Sequence, residues 1–134
     1  MEPLAALLAP LIGRPDRPPA ALLERHPELG QARVRRGGLL PRLGGWLLGR
    51  RTVSGITLWR TIWLAPEAPW AAELLLHELR HVQQFHEHAT FPLRYIWESV
   101  RRGYRRNRYE VDARAYAALR VRTAGRPSHP SEDA

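Results

Sequence analysis

The sequence predicts one α+β domain in which a short β-sheet packs on a helix and a further helix follows, and three observations lead there. Residues 53–64 are rich in β-branched and aromatic side chains, residues 70–88 repeat apolar positions at helical spacing, and two more helical stretches come after them. A length of 134 residues leaves room for one core. Hydrophobic residues at 44% and charged ones at 25% give a globular balance, which excludes a wholly disordered or collagen-like chain.

Taken in order, residues 1–30 read as a helical segment packing on the core. It has two short apolar pieces, 4–12 and 20–29, separated by a stretch in which Pro15, Pro18 and Pro19 forbid a continuous helix. The core domain is expected over 31–123. Its first part is punctuated by Gly37, Gly38, Gly44, Gly45 and Gly49, where loop, strand and short helix are not separable. Residues 53–64 then read as a single partly buried strand, bent near Trp59 and Arg60. Pro66 and Pro69 end it.

The helix over 70–88 has three faces. Leu75, Leu79, Val82 and His86 form the expected buried stripe, Leu76, Arg80, Gln83 and Glu87 a mostly polar arc, and His77, His81, Gln84 and His88 the third. Pro92 opens the next helix, Gly103 and Asn107 break it, and a last helix covers 108–122. Residues 124–134, with Pro127 and Pro130, are expected to form a disordered tail.

Composition narrows the chemistry. With no cysteine there is no disulfide or thiolate nucleophile, so any metal must be held by His, Asp or Glu. No apolar run is long enough to span a bilayer and no export signal is recognisable, which assigns the cytoplasm by default. The net charge of +8 comes entirely from arginine on the basic side. So many guanidinium groups attract phosphates and anionic surfaces, but they are a weak guide to function.

The sharpest feature is the HExxH pattern His77-Glu78-Leu79-Arg80-His81. Side chains four apart on a helix lie one above the other, so both imidazoles can converge on one zinc ion. Glu78 is rotated about 100° from His77, which leaves its carboxylate beside the metal, free to take a proton from water there and pass it on. Chance produces this pattern only roughly 0.02 times in a chain of this composition. The bland alternative is a pair of histidines on an ordinary amphipathic helix.

A third ligand must come from elsewhere. Glu87 and His88 lie about 9–10 Å beyond His81 on an unbroken helix, too far for one tetrahedral site. Glu110 shares a face of the last helix with Ala113 and Ala117, whose small side chains permit close approach, and it is the candidate ligand. Its alternative is an exposed carboxylate paired with Arg106 or Arg114. Asp112, rotated about 200° from Glu110, is the weaker candidate.

On these residues the chain resembles the gluzincin group of HExxH metallopeptidases. The likeness is carried by residues 75–84 and by Glu110 with Ala113. It is also similar to short bacterial zincin-like domains in which a strand such as 54–64 precedes the HExxH helix, and about half the chain, 53–118, is covered. The resemblance implies one Zn2+ per chain on His77, His81 and Glu110, and hydrolysis of a peptide or protein substrate with water activated by Glu78. The strand would be a possible edge for holding an extended peptide. Tyr104, Tyr109 and nearby arginines are unranked candidates to stabilise an oxyanion. One departure stands out: many gluzincins carry an acid four positions after the ligand glutamate, where this chain has Arg114, so the support of His77 and His81 is unassigned.

A competing reading makes the protein an Arg-rich binding module with a non-catalytic metal site. Arg94, Arg101, Arg102, Arg105, Arg106 and Arg108 alternate with Tyr95, Trp97, Tyr104 and Tyr109. Such a surface suits phosphates and stacked bases, or an anionic membrane surface. Nucleic acid is disfavoured because no nucleic-acid fold signature accompanies the run.

Overall fold

The computed structural model describes residues 3–47 and 54–124. Its elements are α1 (Pro3–Ile12), β1 (Arg14–Asp16), α2 (Ala20–Arg25), a 3-10 turn (Pro27–Gln31), β2 (Arg33–Arg36), α3 (Leu40–Leu47), β3 (Gly55–Leu58), β4 (Thr61–Leu64), α4 (Ala72–Glu87), α5 (Phe91–Arg102) and α6 (Arg108–Ala124). The fold is α+β, with a four-stranded mixed sheet and six α-helices among the described residues. The tail expected beyond Ala124, together with Gly49 and Val53, lies outside them.

Strand order in the sheet is β1-β2-β4-β3. β1 and β2 are antiparallel, β2 and β4 run parallel with Val34 beside Ile62, and β3 returns antiparallel to β4 with Thr57 beside Ile62. The single bent strand expected over 53–64 is therefore a hairpin. Its two-residue connection is Trp59-Arg60, with Trp59 at φ 53°. Two-residue hairpins demand positive φ and favour Asn or Gly there, so no turn signal is visible in the sequence. The Trp59 ring packs 5.7 Å from that of Phe85 on α4, a tertiary contact that accompanies the strained backbone.

Residues 13–19 contain a strand as well as prolines. β1 pairs with β2, and Arg35 Nε donates to the carbonyl of Ile12 at 2.7 Å while Arg36 Nε donates to Asp16 at 2.8 Å. Gly13, at φ 71°, brings α1 into β1, and a Cβ there would lie 2.7 Å from the Arg36 carbonyl oxygen. The second N-terminal helix ends at Arg25, and the following 3-10 turn places Leu29 in the core.

β4 is interior, and Ile62 and Leu64 are fully buried from its inner face against Leu75, Leu76, Leu79 and Val82 of α4. α4 packs on β3 and β4 on one side and on α6 on the other. That double burial explains Leu76, which the sequence places on a polar arc and which is fully buried. His86, expected in the buried stripe, is exposed. A 16-residue helix is about 24 Å long and four-residue strands only about 13 Å, so the last turn of α4 runs past the sheet.

Candidate metal centre

α4 presents His77 and His81 on one face, and α6 brings Glu110 up to them. Ala113 and Ala117 have no exposed surface, which is how the two helix backbones come close enough for a glutamate to reach across. Glu110 Oε2 lies 2.9 Å from His77 Nε2, and its Oε1 lies 3.1 Å from His81 Nε2. One ligand atom from each of the three residues falls within 4.8 Å of the other two. Donors around a tetrahedral zinc at ~2.0–2.1 Å stand about 3.3 Å apart, so two imidazole nitrogens and a carboxylate in this arrangement fit a divalent metal ion.

The charges agree with that fit. Burial alone would raise the Glu110 carboxyl, but hydrogen bonds with His77 and His81, the charge on His81 and the Tyr95 hydroxyl hold it well below the usual carboxylate range. Burial would likewise lower His81, yet its hydrogen bond to Glu110 and the charges of Glu78 and Glu110 raise it to about 9. The site thus keeps a buried negative charge facing two basic nitrogens.

Two side chains to which the sequence gives no role at this site support the cluster. Tyr95 donates its hydroxyl to Glu110 Oε1 at 2.7 Å. Gln84 donates its amide to the Tyr109 carbonyl at 3.0 Å and to Asp112 Oδ2 at 2.9 Å. Its oxygen is thereby turned to His81 Nδ1 at 2.8 Å, so Nδ1 donates to it and Nε2 is the nitrogen that faces the site. Asp112 is fixed in turn by Arg80 Nε at 2.7 Å. Asp112 therefore lies outside the His77–His81–Glu110 cluster and supports it through Gln84, and Arg80 and Glu87 belong to the same outer network.

Glu78 is buried beside the histidines without joining them. Thr57 on β3 donates its hydroxyl to Glu78 Oε2 at 2.8 Å, and that hydroxyl also lies 3.2 Å from the Glu78 backbone carbonyl. Gly55, two residues earlier on the same face of β3, passes so close that a Cβ there would sit 3.2 Å from Glu78 Cγ and 3.3 Å from Oε1. An open cleft of about 700 Å³ has His77, Glu78 and Gly55 in its wall, and Tyr104, Arg105 and Arg114 also line it. Tyr104 lines this cleft, whereas Tyr109 is buried, its ring packed 5.0 Å from that of Phe91.

The expected alternatives for Glu110 are not seen: it is buried against the histidines, and Arg114 donates to the Arg105 carbonyl instead. His88 stays away from the cluster, 6.4 Å from Tyr109 ring to ring. Among the described residues, His77, His81 and Glu110 form the one group of three or more potential ligands. No protein-family model matches the chain, and no curated protein or solved structure is significantly similar to it.

Proposed function

We propose that the protein is a zinc-dependent metallopeptidase of the gluzincin type, with His77, His81 and Glu110 as the metal ligands and Glu78 as general base. The observation that carries this reading is the carboxylate of Glu78, oriented by Thr57 at the wall of the same cleft that His77 lines. A zinc ion held by three protein ligands supplies a Lewis acid for a carbonyl and lowers the pKa of water. A purely structural zinc would be closed by a fourth protein ligand, which the described residues do not offer here.

Thr57 occupies Glu78 Oε2, so Oε1 is the oxygen that accepts a proton from water in the cleft and returns it to the leaving amine. β3 is an edge strand among the described residues, and its free backbone side suits an extended peptide paired as an added strand. Tyr104, Arg105 and Arg114 line the same cleft and are the candidate donors for an oxyanion.

Metal analysis of protein purified without a histidine tag is expected to find one zinc per chain, largely lost in His77→Ala. Glu78→Gln is expected to keep the metal and lose turnover on a proteome-derived peptide library. Zinc-loaded protein that cleaves nothing in such a library, or a Glu78→Gln variant that cleaves as well as the parent, overturns the proposal.

A further inference from the structure

α5 is amphipathic with its faces reversed. Its inward face carries Phe91, Tyr95 and Glu98, including the polar groups that reach Glu110 and the start of α6. Its outward face carries Leu93, Ile96, Trp97 and Val100, at i, i+3, i+4 and i+7, and these are 71%, 60%, 63% and 77% exposed. Four large apolar side chains on one stripe about 100° wide form a contiguous patch and not the scattered exposure any surface shows.

Charge selects the occupant. Arg94 and Arg101 stand along one flank of this stripe, about 90–110° from its centre at 3.6 residues per turn. Residues 91–108 hold six arginines and a single acid, Glu98, which is buried. We propose that α5 is an interfacial helix that seats the protein on a membrane containing anionic lipid, with the apolar stripe in the acyl boundary and the arginines on headgroup phosphates. Trp97 then lies at headgroup depth, where its amphipathic ring is favoured. A second copy of the chain fits less well. Antiparallel α5 helices would bring the arginine flanks of both copies together without an acid between them, and in any orientation four side chains fall short of the ~800 Å² that each partner of a stable dimer buries. Nucleic acid would use the arginines and leave the Leu93, Ile96 and Val100 side chains in water.

Flotation of the full zinc-loaded chain with vesicles tests this independently of any peptidase activity. Binding is expected to vesicles of phosphatidylcholine mixed with phosphatidylglycerol, to fall with added salt, and to be weak on phosphatidylcholine alone. Trp97→Glu is expected to weaken it at least tenfold, and Arg101→Glu about fivefold or more. Leu93→Ala, a milder change at an exposed position, is expected to weaken it measurably with the fold intact. Vesicle binding that Trp97→Glu leaves unchanged overturns the proposal. So does a lipid-free dimer in sedimentation velocity that Trp97→Glu dissociates, or oligonucleotide binding through Arg101 in the absence of vesicle binding.

Discussion

Glu78 has its position set by two residues of one strand, and that makes Thr57 and Gly55 the sharpest probes of the site. Thr57→Val keeps the shape of the side chain and removes the hydroxyl donated to Glu78 Oε2. Its expected effect is a fall of about tenfold in kcat with zinc content unchanged, since the base loses its orientation and the ligands do not. Gly55→Ala inserts a methyl 3.2 Å from Glu78 Cγ, so the carboxylate must shift by a few tenths of an ångström. It should also lower kcat without loss of metal, and a parental kcat in both variants would show that Glu78 placement is not tuned by β3. Tyr95→Phe acts on the other side of the chemistry. It removes the hydroxyl donated to Glu110 Oε1 and should weaken zinc affinity about 10–100-fold in a chelator competition. His77, Glu78 and His81 are legible in the sequence because a helix brings neighbours four apart together, and Glu110 because two alanines mark its face as the close-packed one. Thr57, Gln84 and Tyr95 are not, because each meets the site only through tertiary packing or a side-chain rotamer.

At the scale of elements, the joint between α5 and α6 positions Glu110, the proposed third ligand. Asn107 is fully buried there. Its Oδ1 accepts from the Tyr109 backbone N–H at 2.9 Å, which caps α6, and its Nδ2 donates to the Tyr95 carbonyl at 3.1 Å and to Ser99 Oγ at 2.9 Å. One side chain thus ties the helix that bears Glu110 to the helix that bears Tyr95. Asn107→Ala removes the cap and the two hydrogen bonds to α5, at about 1–3 kcal/mol of stability in denaturant unfolding. Ala113→Leu tests the close approach of α4 and α6 directly. Extra volume at a fully buried position pushes the helices apart, so zinc affinity is expected to fall with secondary structure retained. The sequence marks the α5–α6 break through Gly103 and Asn107, but not the capping role, since the partners lie on the preceding helix. The β3–β4 hairpin is equally hidden, because Trp59 and Arg60 carry no turn chemistry and the reversal is coupled to packing on Phe85.

For the whole molecule, the proposed metal site would join metal occupancy, protonation and folding in one coupled equilibrium. Burial works against a charge on His81, but its hydrogen bond to Glu110 and the nearby carboxylates raise it to about 9, above its ordinary value. A group raised on folding contributes stability that is complete below its unfolded pKa, about 6.5, and is lost as pH rises through about 9. Glu110 is depressed, so its contribution is present above the unfolded carboxylate range and is lost only as pH falls through its strongly acidic folded value. The His81–Glu110 pair accordingly stabilises the chain without zinc across the neutral range and up to about pH 9. Zinc needs that imidazole deprotonated, so loading must release close to one proton per ion below about pH 9. Chelator competition is therefore expected to show zinc affinity rising about tenfold per pH unit from neutrality and levelling off near pH 9. The difference in Tm between loaded and chelator-stripped protein should widen over the same interval, because the stripped protein loses its internal ion pair as the loaded one binds its metal more tightly. A zinc affinity independent of pH across that interval would show that His81 carries no proton to displace.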